Sequence, residues 1–259
     1  MTELSAIAAI GSRDMLKFLR DPSRLVSAFI FPFLLMFLMG GTLQLNLGRA
    51  VGFNFIEFTF TGVLGMTIFQ SAAQGIASLL DDRQNDFAQE MFVSPVSRYS
   101  IAFGKVFGET LVALAQAAPL VVFALVLGVS LTSAQLLLLA PVAVASCLLG
   151  GSFGLVAMAM INDQRGANQI FNFLILPQFF LAGVFNPIAV LPWYLEILSR
   201  ISPMRYAVDL FRDVVYMGRP EYHKVVLLGP ALNLATMTLM FAVFMVVGTA
   251  LFVRRETNR

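Results

Sequence analysis

Apolar runs of about 20 residues or near it recur along the whole chain, and about 20 is the length a helix needs to cross a hydrocarbon core of about 30 Å. No other feature restricts the fold as strongly. Inside lipid a backbone must satisfy its own hydrogen bonds, which leaves helices or a closed barrel, and runs of this length are read as helices. Six spans follow, roughly Leu25–Gly41, Phe58–Leu80, Ile101–Leu127, Leu136–Ile161, Asn168–Val184 and Val225–Val253. The composition agrees: 58% of residues are hydrophobic and 12% charged, against about 45–50% and about 25% in soluble domains. The expected fold is therefore an all-α polytopic membrane protein with six transmembrane helices in a single domain, residues 1–259. The first run follows a charged head and has no small-residue cleavage pattern behind it, so it is expected to be a retained span and not a signal peptide.

Charge distribution orients the spans. Eleven of the 17 Lys and Arg residues fall before span one, after spans two and four, and at the end of the chain. The positive-inside rule then places both termini in the cytoplasm. Five of the six on the other side lie in the loop before the last span, and a loop with its own structure obeys that rule less strictly. A multi-pass inner (plasma) membrane protein is expected. The net charge of +2 gives no reason to expect nucleic acid.

Residues 1–20 repeat Leu4, Ile7, Ala8, Met15, Phe18 and Leu19 near helical spacing, with Arg13, Lys17 and Arg20 between them. This predicts an amphipathic helix in the cytoplasmic interface. In "RDPSR", Asp21 can cap a new helix and Pro22 suits its first turn. In residues 186–224, Pro187, Pro192 and Pro203 act as helix starters, and Trp193 and Tyr194 suit a membrane interface. Two short external helices are expected there, resting on the outer leaflet or dipping into it. Ser202–Pro203 reads as an N-cap and first turn, and Asp209 can pair with Arg212 three residues on.

The most polar stretch is "DDRQNDFAQEMFVSPVSRYS", residues 81–100, between two apolar runs. Phe87, Ala88, Met91 and Phe92 give a helix there an apolar side, while Asp82, Asp86 and Glu90 stand four apart on another face. Like charges at that spacing destabilise a lone helix by a few tenths of a kcal/mol per pair. A partner protein receiving both faces would supply the missing stabilisation, and Pro95 would end the helix before span three.

Other chemistry is sparse. One histidine and one cysteine, Cys147, cannot form a metal-ligand cluster or an intrachain disulfide. "GGSFG" matches G-x-S-x-G, but Ser152 falls within an apolar span and not at a strand-to-helix elbow. Gly150/Gly154 and Gly104/Gly108 instead have the spacing that lets helices approach closely. Gln70, Gln74, Glu109, Gln116, Asn172 and Gln178 are polar within spans and are candidates for a substrate path or a permease–permease contact; interhelical hydrogen bonding is the alternative for the amides.

"EMFVSPVSRYSIAFGKVFGE" resembles the loop of type-2 ATP-binding-cassette export permeases, in which an acidic residue, a Ser/Thr-Pro, a basic residue and a Gly-Lys recur in order. Here these are Glu90, Ser94-Pro95, Arg98 and Gly104-Lys105. The "RDP" elbow and the stretch from Phe173 to Arg212 are similar to the same family. The resemblance implies that residues 81–100 hold a cytoplasmic coupling helix, with Asp86, Phe87, Glu90, Met91, Pro95 and Arg98 meeting a separate nucleotide-binding ATPase subunit. It implies two ATPase copies that bind ATP and Mg, and a second permease subunit, identical or related. The solute would be hydrophobic or amphipathic, drug-like or a lipid. No G-x-x-x-x-G-K-[ST] loop occurs in the chain, so it is expected to carry no ATPase site of its own. A non-transporting scaffold that anchors a cytoplasmic partner is the other reading.

Overall fold

Local chemistry sets where each helix begins and ends. The computed structural model describes residues 3–76, 98–159 and 164–257, and every regular element among them is a helix. In order these are α1 (Glu3–Arg20), α2 (Pro22–Leu35), a π-helical turn (Met36–Gly40), α3 (Gly41–Val51), α4 (Phe55–Gly75), α5 (Arg98–Val126) and α6 (Ser133–Ala159). Then follow α7 (Gln164–Leu181), a 3-10 turn (Ile188–Val190), α8 (Trp193–Ile201), α9 (Pro203–Tyr216), α10 (Tyr222–Val225) and α11 (Pro230–Thr257).

The elbow falls where expected, between Arg20 and Pro22. Pro22 opens α2, the Leu25 amide donates to Asp21 O at 3.0 Å, and Ser23 Oγ donates to the Asp21 carboxylate at 2.7 Å. Asn54 caps α4, its Oδ1 accepting from the amides of Ile56 (2.8 Å) and Glu57 (3.4 Å). Helices α5 and α7 end on Gly128 (φ 88°) and Gly183 (φ 68°), a backbone conformation that favours glycine. After each, an amide reaches back five residues, Val129 to Ala124 O at 3.0 Å and Val184 to Phe179 O at 3.1 Å, closing the orphan carbonyls of the last turn.

Among the described residues four stretches are long and apolar enough to cross a membrane: Leu25–Asn46, Phe103–Val126, Ser133–Ala159 and Tyr222–Leu251. The first runs straight through the π-helical turn and ends beyond the expected Gly41. The other two expected spans map onto α4, which is 21 residues long but carries Glu57, Gln70 and Gln74, and onto α7, whose apolar part is the shorter Gln169–Leu181.

Helix α4 is the axis of the bundle: it packs against α5, α6 and α9, and almost every residue from Phe55 to Gly75 is buried. Helix α11 lies along α6, and α1 lies along α5. The π-helical turn also touches α4, whereas α7 makes only light contact with α4, α8 and α9.

The loop before α11 departs from expectation. Every residue of helix α9, from Pro203 to Tyr216, is buried, and the helix is wedged against α4, α6 and α11. Asp209 and Arg212 can be buried because loops from elsewhere in the chain bring backbone donors and an acceptor to them, while Arg205 donates to Ser199 Oγ and Asp213 accepts from the side chains of Tyr222 and Asn233. The expected Asp209–Arg212 pair does not form. Asp209 accepts from the amides of Leu227 and Leu228, both at 2.9 Å, while Arg212 donates to Gly183 O and stacks on Phe58, 3.9 Å from the ring centre. Burial pulls the Arg212 pKa down to about 10, which leaves it a cation at neutral pH.

Candidate functional site

The densest buried charge lies where α1, α5 and the end of α4 meet. On α5, Gly104 and Gly108 face α1. A Cβ at Gly108 would lie 3.0 Å from Gly11 Cα, and one at Gly104 would lie 3.2 Å from Ile7 Cα. With no side chains between them, the two backbones come close enough for Asp14 of α1 to reach Lys105 Nζ at 2.7 Å. The same Nζ meets Glu109 Oε1, one turn on, at 2.9 Å. The three side chains are at most 3% exposed. Arg13 stands 3.8 Å from Asp14, so two cations face two carboxylates. A buried charge is tolerated only when paired in this way.

Glu109 also packs into the notch at Gly75, where a Cβ would overlap the carboxylate. Gly75 closes α4, and Arg98 opens α5. The ion cluster therefore ties together the two chain segments on either side of residues 77–97, and clamps both to α1.

The other sequence-predicted residues are dispersed. Asp86, Phe87, Glu90, Met91 and Pro95 lie outside the described residues, and Arg98 is the first residue of α5. Gln70 is half-buried and Gln74 exposed on α4, Gln116 is buried on α5, and Asn172 is exposed on α7. Gln178 is committed to structure: its Oε1 accepts from Ser202 Oγ at 3.2 Å and from the Met204 amide at 3.4 Å, and its Nε2 donates to Leu174 O at 3.1 Å. It takes the hydroxyl expected to cap α9, whose Ser202 side chain makes no cap hydrogen bond. Sequence reasoning missed Asp14. The signal was there: Ile7, Gly11, Asp14 and Phe18 fall on one helical stripe, and an acid and a glycine on the apolar side of a helix mark a close, polar contact.

A second set of contacts closes the opposite end. Arg219 pairs with Glu57 at the start of α4 and donates to Ser130 O at 2.6 Å, and Gln135 Nε2 donates to Val215 O at 2.9 Å.

Ser152 is fully buried, and its hydroxyl donates to Leu149 O within α6 at 2.9 Å, as an ordinary helical serine does. Ser152→Ala is expected to leave both the thermal stability of the purified chain, to within about 0.5 kcal/mol, and its activity unchanged. Loss of activity in this variant would reopen a nucleophilic role. Among the described residues no group of His, Cys, Asp and Glu is placed to hold a metal.

A helical bundle with four strongly apolar stretches among the described residues has the features of a polytopic membrane protein. Over residues 5–216 the sequence matches the ABC-2 type transporter family, and the chain belongs to it. It is similar to the ycf38 transport permease of Cyanophora paradoxa, 23% identical over 81% of this chain and 73% of the relative. It is 24% identical to the Escherichia coli (strain K12) inner membrane transport permease YadH, over 80% of this chain and 81% of the relative. Membership makes the chain an integral membrane permease subunit that associates with an ABC ATPase subunit.

Proposed function

We propose that this chain is the membrane half of an ATP-driven exporter that moves a hydrophobic or amphipathic solute, a drug-like molecule or a lipid, out of the cytoplasm. Six helices span the membrane, α4 and α7 among them, with both termini cytoplasmic. Two permease chains, identical or related, stand on two ATPase subunits that bind ATP and Mg. The 81–100 segment carries the coupling helix, and motion of the ATPase pair enters the spans through it.

The observation that supports this best is the Asp14–Lys105–Glu109 cluster, which is fastened to the chain on both sides of that segment. A loop that only anchored a partner would need no buried joint where it enters the spans. Lys and Arg bias supports the orientation.

The test is Glu90→Lys in the reconstituted complex, with a panel of hydrophobic drugs and fluorescent phospholipids as solutes. Charge reversal at an interface costs several kcal/mol. Solute-stimulated ATP hydrolysis is expected to fall at least about tenfold, or the ATPase to dissociate, while the permease elutes as folded protein. Normal stimulation with a bound ATPase would place the contact elsewhere. An ATPase indifferent to every solute in the wild-type complex would favour the scaffold reading.

A further inference from the structure

At the end of the bundle remote from residues 77–97, the first turns of α6, the buried α9 and the connection into α11 line an open-mouthed cavity of about 570 Å³. Val142, Leu210 and Val214 form its buried wall, and Leu138 and Met217, 40% and 50% exposed, form its rim. Sites that take a whole small ligand hold about 300–1,000 Å³ and are mostly apolar with a few placed polar groups. Here the placed polar group is Asp213.

Asp213 lines the cavity yet is only 4% exposed. Its carboxylate accepts from the Tyr222 hydroxyl and from Asn233 Nδ2 at 3.0 Å, both neutral donors, and it has no ion pair with a described residue. Arg219, on the same wall, already pairs with Glu57, and His223 sits at the exposed rim. The apolar cavity thus carries a negative charge that no described cation balances. Burial pushes the Asp213 carboxyl above the usual carboxylate range. A cation brought against it would offset what burial costs the charged form.

We propose that this cavity binds an amphiphile with an aliphatic tail and an amine-bearing head, the tail lying on Val142, Leu210 and Val214 and the ammonium facing Asp213. An anionic head is disfavoured by the same charge. The amphiphile can come from the membrane, as phosphatidylethanolamine, or be a carried solute of the same chemistry. The site is independent of the direction of transport.

The test uses the full-length permease with its ATPase in lipid nanodiscs. Three photoreactive probes, each with a diazirine in its aliphatic chain, are compared by peptide mapping: phosphatidylethanolamine, phosphatidylglycerol and a long-chain alkylammonium. Labelling of the segments around Val142 and Val214 is expected to be about tenfold stronger with the amine-bearing probes than with phosphatidylglycerol, and to fall about tenfold in Asp213→Asn. Leu138→Trp, at the exposed rim, is expected to lower labelling by both amine probes without changing thermal stability. It serves as the second variant should Asp213→Asn fold poorly. Labelling of the wall by phosphatidylethanolamine assigns the resident to the membrane, and labelling by the alkylammonium alone assigns it to the solute. Equal labelling by all three probes, or labelling unchanged in the folded variants, would overturn the proposal. Because labelling is read without transport, its failure would leave the exporter reading standing, and the reverse also holds.

Discussion

Gly154→Leu and Gly150→Leu are expected to abolish recovery of the permease as a folded, monodisperse protein, and Gly154→Ala to lower its melting temperature. A Cβ at Gly150 would stand 2.4 Å from Phe69 O and 3.0 Å from Phe69 Cα; one at Gly154 would stand 2.4 Å from Ala73 O and 2.9 Å from Ala73 Cα. The obstacles are backbone atoms of α4, which cannot rotate away as a side chain can. Nor can α4 retreat, because α5 and α9 also pack against it. The four-residue step on α6 matches the four-residue step from Phe69 to Ala73, so both clashes fall in one contact. Inserting one methyl group into such a contact costs about 1–3 kcal/mol, and a branched side chain costs more. Gly41→Ala is the control: nothing lies within 4 Å of its Cβ position, and alanine favours a helix over glycine by about 1 kcal/mol. Thermal unfolding followed by size-exclusion chromatography checks the series. A Gly154→Leu protein that melts within about 2 °C of wild type would mean that α4 and α6 do not touch at this point.

How far the sequence revealed this arrangement depends on where each residue finds its partner. The apolar runs, the elbow at Asp21-Pro22 and the close-packing spacing of Gly150 and Gly154 act locally or along one helix, and all could be read. Helix α9 was harder. Its periodicity was plain, but an alternating polar face reads as solvated unless the groups that cover it are known. The Leu227 and Leu228 amides, Gly183 O and Phe58 reach it from sequence distances of 18 residues to more than 150. For the same reason Asp209 and Arg212, correctly spaced for a pair, each bond elsewhere. Glu109 could be singled out because an acid in an apolar run demands a partner. Lys105 stands one turn away, but Asp14 stands 91 residues before it and was missed. The residues that carry the expected partner contact, Asp86 to Pro95, rest on sequence alone, since they lie outside the described residues.

Lys105→Met is expected to be the most damaging single change at the inner joint, and a triple variant is expected to show why the cluster is ionic. With the ammonium gone, Asp14 and Glu109, both buried, lose the cation that each of them meets within 3 Å. Removing one member of a buried ion cluster typically costs about 3–5 kcal/mol, because the remaining charge is neither solvated nor paired. The purified permease should melt well below wild type. Replacing the three buried groups, Asp14→Asn with Lys105→Met and Glu109→Gln, removes their charges together and leaves Arg13, whose side chain is 29% exposed, to solvent; replacing buried charges as a set is often close to neutral. If the cluster served stability alone, the triple variant would behave as wild type in every assay. If it also transmits motion from the 81–100 segment to α1, the triple variant should melt near wild type and still bind the ATPase, yet ATP hydrolysis should no longer drive solute movement. The two readouts separate the roles: melting temperature reports packing, and transport per ATP reports transmission. A Lys105→Met protein as stable as wild type would show that Asp14 and Glu109 are not held against that ammonium, and the joint between α1, α4 and α5 would have to be redrawn.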